Sequence, residues 1–194
     1  KSKNNKNISI TFPFVQRFSL VNNLTISLLN NFYFLINKSD TPKKQHYRSF
    51  FFPLDIIKNW NRAYGNKGFY QYQFVVPIHN SKKVMEEVIN LISFYKQRPV
   101  LSVLKTFGKI ESEGLLSFPQ EGLTLAMDFQ NKGAGTLQML KDLDQIIIKN
   151  EGKVYIAKDC RMDKKSFANF YSNFDEFSKY IDPNFSSTFL ERIL

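Results

Sequence analysis

Apolar and polar positions recur at two different periods along this chain, and the switches between them mark its elements. Residues 69–76 alternate strictly, with Tyr70, Tyr72, Phe74 and Val76 on one face and Gln71, Gln73 and Val75 on the other, the mark of a half-buried strand. Residues 81–96 change to helical spacing: Ser81 stands at a cap position, and Val84, Val88, Leu91, Ile92 and Tyr95 form one stripe. Residues 100–107, rich in Val, Leu and Phe and stopped at Gly108, predict a second strand. A loop containing Gly114, Pro119 and Gly122 leads to a third strand over 123–129. Thr136 opens a second helix whose stripe is Leu137, Leu140, Leu143, Ile147 and Ile148, ending near Gly152, and 153–157 predicts a fourth strand.

The order β-α-β-β-α-β specifies an α+β fold: a ferredoxin-like antiparallel sheet with both helices on one face and the other face open. Before it, 22–36 reads as an amphipathic helix, 38–48 as a polar loop, and Phe50-Phe51-Phe52-Pro53-Leu54-Asp55 as a turn, because proline pushes its predecessor into extended geometry. A short helix is expected within 55–64, stopped by Gly65. After residue 159 short aromatic helices follow, around 167–171, 174–180 and 185–194, and their many Phe and Tyr residues look as though they need a further partner.

If Tyr70, Tyr72 and Phe74 lie under the helices, Gln71 and Gln73 face the open side. The same alternation puts Thr124, Ala126 and Asp128 of the third strand there, and Leu101, Val103, Lys105 and Phe107 of the second. Apolar surface with a few fixed polar groups is what a ligand wall needs. Lysine in an otherwise apolar strand asks for an anion, and the blander account is that Lys105 snorkels to solvent or pairs with Asp128. At the end of the fourth strand Lys158, Asp159 and Arg161 crowd together, which taken alone reads as a surface ion-pair cluster.

The formal charge of +10 is open to three partners, a polyanion, a membrane surface or a phosphate-bearing substrate, or to none beyond solvent. A single cysteine, Cys160, excludes an internal disulfide and points to a reducing compartment. No run approaches the about 20 apolar residues that span a bilayer, so a cytoplasmic or peripheral inner-face location is expected. No metal site is expected, because His46 and His79 lack ligand spacing. Cys160 has cationic neighbours in Lys158 and Arg161 but no histidine close in sequence to act as base. The chain opens on Lys1 rather than methionine, which reads as a piece of a longer protein.

Several stretches together carry a resemblance. They are Phe52-Pro53-Leu54-Asp55, Trp60-Asn61-Arg62-Ala63-Tyr64-Gly65, Gly68-Phe69-Tyr70-Gln71-Tyr72-Gln73-Phe74-Val75-Val76-Pro77 and Leu101-x-Val103-x-Lys105-x-Phe107-Gly108. Leu116-Ser117-Phe118-Pro119, Asp128-Phe129, Tyr155-x-Ala157-Lys158-Asp159-x-Arg161, Asp182-Pro183 and Phe189-Leu190-Glu191-Arg192 continue it in order. From about residue 50 onward the chain resembles the decaprenylphosphoryl-ribose 2-oxidase family and its aldonolactone-oxidase relatives, FAD enzymes of the vanillyl-alcohol-oxidase type.

The resemblance implies that 1–152 form most of a substrate-binding lobe and 153–194 a segment returning to an FAD-binding lobe that has no counterpart here. It implies a parent oxidoreductase that oxidises a secondary alcohol of a sugar or lipid-linked sugar-phosphate by hydride transfer to FAD, with peripheral membrane contact. It implies that this piece alone is inactive and binds no FAD tightly. By the same likeness Lys158 is the catalytic cation beside the flavin and Tyr155 a flavin contact. Gln71, Gln73, Lys105, Leu101, Val103 and Phe107, with Thr124 and Ala126, line the substrate pocket, and Leu54 and Asp55 belong to a loop at its mouth. Mycobacterial members carry Asn-x-Cys where this chain has Thr124-Leu125-Ala126, so the thiol is absent here.

Two other readings stand beside this one. RNA-recognition motifs share the topology, and Lys67-Gly68-Phe69-Tyr70-Gln71-Tyr72-Gln73-Phe74 begins like their aromatic strand. Here, though, that run falls on the first strand, and alternation turns glutamines to the open face, so no nucleic acid is expected. The third reading is a stand-alone binding module without catalysis.

Overall fold

The computed structural model describes residues 10–15, 17, 19–38, 41–42, 44, 46–52, 57–158 and 160–194. The expected loop at Leu54 and Asp55 lies outside these, as do Asp159 and the run 1–7. The chain divides into two compact units, Lys1–Gly68 and Phe69–Leu194.

The first unit is held by a short strand pair, a helix cap and an arginine. β1 (Ile10–Thr11) pairs in parallel with β2 (Ile57–Lys58), and between them lie α1 (Asn23–Asn37) and α2 (Tyr47–Phe51). Asn22 caps α1 in a reciprocal box: its Oδ1 accepts from the amides of Leu24 and Thr25 at 3.0 Å, while the Thr25 hydroxyl accepts from the Asn22 amide at 2.9 Å. The expected helix within 55–64 is a 3-10 turn, Trp60–Tyr64. Its Arg62 reaches the carbonyls of Phe12 and Pro13 at 2.9 and 2.6 Å. In this unit, then, the Trp-Asn-Arg-Ala-Tyr-Gly run pins backbone.

The second unit is the β-α-β-β-α-β fold. β3 (Phe69–Val76), α3 (Ser81–Phe94), β4 (Ser102–Phe107), β5 (Gly122–Gln130), α4 (Ala134–Lys149) and β6 (Lys153–Val154) build one antiparallel sheet in the order β4-β5-β3-β6, with the two helices packed together. Tyr72, Phe74 and Val76 meet Val84 and Val88 of α3 and Leu140, Leu143 and Ile147 of α4 in a dry core. Truncating a fully buried aromatic such as Phe74 would cost about 3–5 kcal/mol.

Three local expectations change. The fourth strand is two residues rather than five: Tyr155 still donates its amide to the Gln73 carbonyl at 2.8 Å, but Lys158 then bonds back to the Tyr155 carbonyl at 3.1 Å, closing a 3-10 turn, Ile156–Lys158. Thr136 does not open α4. The helix starts two residues earlier, and the buried threonine hydroxyl accepts from the Lys132 amide and from Gln97 Nε2, both at 3.0 Å. The aromatic helices α5 (Lys164–Phe170), α6 (Phe174–Ser178) and α7 (Thr188–Ile193) find part of their partner within this unit: Phe167, Phe170, Tyr171 and Ile193 are buried in the core of the sheet and its helices. Tyr180 and Phe185 do remain outside, each 75% exposed.

Candidate functional site

Register fixes what shares a face, since residues directly opposite in an antiparallel pair point the same way. Gln71 stands opposite Asp128, Gln73 opposite Ala126 and Val75 opposite Thr124. On the other flank of β5, Val103 is opposite Ala126, Lys105 opposite Thr124 and Phe107 opposite Gly122. Because Tyr72, Phe74, Met127 and Phe129 fill the helix-side core, all of these lie on the side away from the helices. Gln71, Gln73, Lys105, Val103, Phe107, Thr124 and Ala126 are therefore brought together. Leu101 joins them at the Asp128 end, where its carbonyl accepts the Asp128 amide at 3.1 Å.

The face has two unlike ends. Rows of the sheet repeat every two residues, so the Lys105–Thr124 row and the Gln71–Asp128 row are about 13 Å apart. At the first end the loop between β4 and β5 folds back over the sheet. Phe118, only 4% exposed, stacks on Tyr155 with ring centroids 4.7 Å apart and meets Phe107 edge-on at 6.0 Å. Phe107 and Tyr155 belong to opposite margins of the sheet, so Phe118 spans it, and Thr124 and Val75 beneath are buried. At the Asp128 end Leu101 and Val103 remain more than a third exposed.

Hydrogen bonding sets the polarity of the glutamines. The Thr124 hydroxyl donates to the Phe74 carbonyl at 2.8 Å, so it can only accept from Gln73, whose Nε2 lies 3.1 Å away. Gln71 Nε2 donates in the same way to Asp128 Oδ1 at 3.1 Å. Both amides are thereby turned nitrogen-inward, and their oxygens are left toward the open side as acceptors.

Asp128 pairs with Gln71, not with Lys105. It is 4% exposed, and no hydrogen-bond partner among the described residues reaches its Oδ2. Burial pushes its carboxyl above the usual range, against the Gln71 hydrogen bond and the charge of Lys158, both of which favour the anion. Lys158 lies three residues past Tyr155, whose amide bonds the Gln73 carbonyl of β3, the strand that carries Gln71. Lys105 is exposed and has no acidic partner among the described residues.

The segment 160–162, beyond the turn that carries Lys158, is clamped from two directions. Arg161 forms a bidentate pair with Asp144 of α4, with Nη2–Oδ1 at 2.8 Å and Nη1 on Oδ2, and Tyr72 donates its hydroxyl to the same carboxylate at 2.9 Å. Arg192 of α7 donates to the carbonyls of Cys160 and Met162, both at 2.8 Å. The Lys158-Asp159-Arg161 cluster is thus not a surface ion-pair group as far as Arg161 goes, because its partner is a fully buried helix residue. Sequence reasoning passed over Asp144 and Phe118. The signals were an acid lying on the α4 stripe between Leu140 and Ile147, and a lone phenylalanine in a Ser- and Pro-bearing loop.

Among the described residues no group of three or more His, Cys, Asp and Glu could hold a metal, and no helix is long and apolar enough to cross a membrane. The aromatics of the open side, Phe107, Phe118 and Tyr155, pack on one another rather than standing as a base-stacking platform, and the central positions are glutamines. This does not favour the RNA-recognition reading.

No family model matches the chain. It is 26% identical over 120 residues to an uncharacterised protein in the mprA 5' region of Streptomyces coelicolor, a match covering 59% of the chain and 32% of that protein. It is 31% identical over 189 residues to the decaprenylphosphoryl-beta-D-ribose oxidase of Mycolicibacterium smegmatis. The chain spans 40% of that relative's length. With 95% of its own residues inside the match, the chain is a homologue of decaprenylphosphoryl-beta-D-ribose oxidase.

Proposed function

We propose that this chain forms the substrate-side wall of an FAD-dependent oxidoreductase that oxidises a secondary alcohol of a sugar or lipid-linked sugar-phosphate. One observation supports the reading: the turn that carries Lys158 follows Tyr155, whose amide bonds the Gln73 carbonyl at 2.8 Å, on the strand that also presents Gln71. The relative's name supplies the chemistry class. On this reading 1–152 serve as substrate lobe and 153–194 as the segment meeting a flavin-binding lobe.

The donor set suits such a group. Tyr155 and Lys158 would hold FAD, which when bound supplies the hydride acceptor. The Lys158 ammonium is preorganised to stabilise negative charge as it gathers next to the reacting carbon. The outward oxygens of Gln71 and Gln73 accept hydrogen bonds from sugar hydroxyls, Lys105 meets the phosphate, and Leu101, Val103 and Ala126 pack on the apolar sugar edge. Phe107 and Thr124 support the closed end. A lipid-linked substrate would bring the protein to a membrane surface, where its +10 charge favours anionic headgroups.

The test is Lys158→Ala in the full-length flavin-bearing protein. Turnover is expected to fall about 100- to 1,000-fold with the unfolding midpoint unchanged, the scale of losing one preorganised donor. Near-normal turnover would remove Lys158 from the chemistry and the proposal with it.

A further inference from the structure

We propose that Asp128 is the positioning residue of Lys158, its Oδ2 holding the lysine ammonium over the open face while Gln71 holds Oδ1. The inference rests on the reading of the site given above. Asp128 is unusual for an acid in a sheet: it sits mid-strand, 4% exposed, with a single hydrogen bond to its side chain. Its backbone is fixed on both sides, the amide bonded to Leu101 at 3.1 Å and the carbonyl accepting from Val100 at 2.9 Å, so the carboxyl cannot swing out to water by local fraying. Oδ2 is buried without a partner, which costs about 1–3 kcal/mol or more for a charged group. A structural role alone does not explain the residue, since an apolar side chain there would avoid the cost.

Candidates to satisfy Oδ2 can be sorted by register. Lys105 and Lys153 flank the row of Val75 and Thr124, about 13 Å away along the strands. Gln71 is already bonded through Oδ1. Lys158 lies three residues past Tyr155, whose amide bonds the Gln73 carbonyl of β3 at 2.8 Å, so its four-carbon stem starts beside the strand that carries Gln71, and its charge works against protonation of Asp128. Among the described residues the two form no ion pair in this structure, and an ammonium on a flexible stem that reaches this fixed carboxylate oxygen rests where the acid holds it. For a group that must stabilise charge at one point, that placement matters, because a displacement of about 1 Å can cost about 100-fold in rate.

The first experiment needs no turnover. The Asp128 carboxyl is titrated by carbon-detected NMR in this chain as wild type, Lys158→Met and Lys105→Met. Lys158→Met should raise the midpoint by at least half a unit, and Lys105→Met by less than a third as much. Equal shifts, or none from Lys158→Met, overturn the pairing. The second uses the full-length flavin-bearing protein. Asp128→Asn should lower kcat about 10- to 100-fold with KM changed less than about threefold, and Asp128→Glu should recover part of the loss. A loss confined to KM, or no recovery by glutamate, overturns the positioning role. If Lys158→Met spared turnover while the titration still responded, the site reading would fall and the Asp128–Lys158 pairing would stand, so the two failures can be told apart.

Discussion

Replacing Arg161 with methionine isolates the anchor beyond the Lys158 turn. Asp144, fully buried, accepts from both Arg161 terminal nitrogens and from Tyr72, and the guanidinium also lies 5.4 Å from the Tyr72 ring centre. Methionine keeps much of the side-chain volume but takes the guanidinium away from a carboxylate in the core. Removing one member of a buried pair costs about 3–5 kcal/mol. The structure also sets a ceiling, because the stranded carboxyl can take up a proton instead. Forcing that at pH 7 on a group whose ordinary value is about 3.9 costs about 4 kcal/mol, and at pH 5 only about 1.5 kcal/mol. The expected signature is a stability deficit of about 4 kcal/mol at neutral pH that shrinks by more than half on mild acidification. Urea unfolding of both proteins at the two pH values measures it. Asp144→Leu combined with Arg161→Met should restore most of the loss, short by about 1 kcal/mol for the Tyr72 hydroxyl left without its acceptor. A deficit below about 1 kcal/mol at pH 7, or one that ignores pH, would refute the claim that a buried charge holds this segment to α4.

Three further outcomes follow from the same geometry. Asp128 titrates above its ordinary 3.8, so its contribution to stability is fully present below that value and lost as pH rises through the raised one. Asp163, lowered chiefly by the Ser166 amide bonded to it at 2.8 Å, contributes above 3.8 and loses that as pH falls through its lowered value. Asp128→Asn should therefore remove a loss of stability that wild type shows in urea midpoints as pH rises above 3.8, and parallel pH curves for the two proteins would contradict this. Gly122→Ala would place a methyl carbon 2.1 Å from the Val76 carbonyl oxygen at a φ of +156°, and a loss above about 3 kcal/mol is expected by calorimetry. Phe118→Ala removes the buried ring stacked on Tyr155 and should cost about 3 kcal/mol in urea unfolding, and a loss below about 1 kcal/mol would show that this loop does not close the end of the sheet.

The alternation of residues 69–76 and 123–129 made the sheet legible, because a period of two assigns a face without knowledge of register. The same logic put Gln71, Gln73 and Lys105 on one side, as observed. What it could not supply was the pairing across strands. Lys105 and Asp128 look like natural partners on a list of open-face residues, yet four positions of register keep them apart. The end of the fourth strand departs from expectation for a related reason: Tyr155-Ile156-Ala157 has strand propensity, but the Lys158 amide closes back on the Tyr155 carbonyl into a 3-10 turn, and tertiary context overrides local preference. The C-terminal aromatics look surplus because the core cluster that buries Phe167, Phe170 and Tyr171 cannot be recognised from composition.

The direction of the two glutamine amides bears most directly on what this face can recognise. An amide at a sheet surface is ordinarily free to present either its oxygen or its nitrogen, and a face built that way would be indifferent to ligand polarity. Here Asp128 accepts only, and the Thr124 hydroxyl is already committed to the Phe74 carbonyl, so each β5 partner dictates one orientation. The open side consequently offers acceptors in its central and Asp128-end rows and the Lys105 donor at the other end. That order suits a ligand with hydroxyl donors at its centre and an anionic group at one extremity, and it disfavours a ring of acceptors such as a nucleobase edge. Ala126, the residue between Thr124 and Asp128, adds no polar atom to blur the pattern. Substituting Thr124 by valine would release Gln73 to flip while keeping the side chain's shape. If discrimination between a polyol and its O-methylated analogue then collapsed in the full-length protein, amide direction would be the source of selectivity; unchanged discrimination would place it elsewhere.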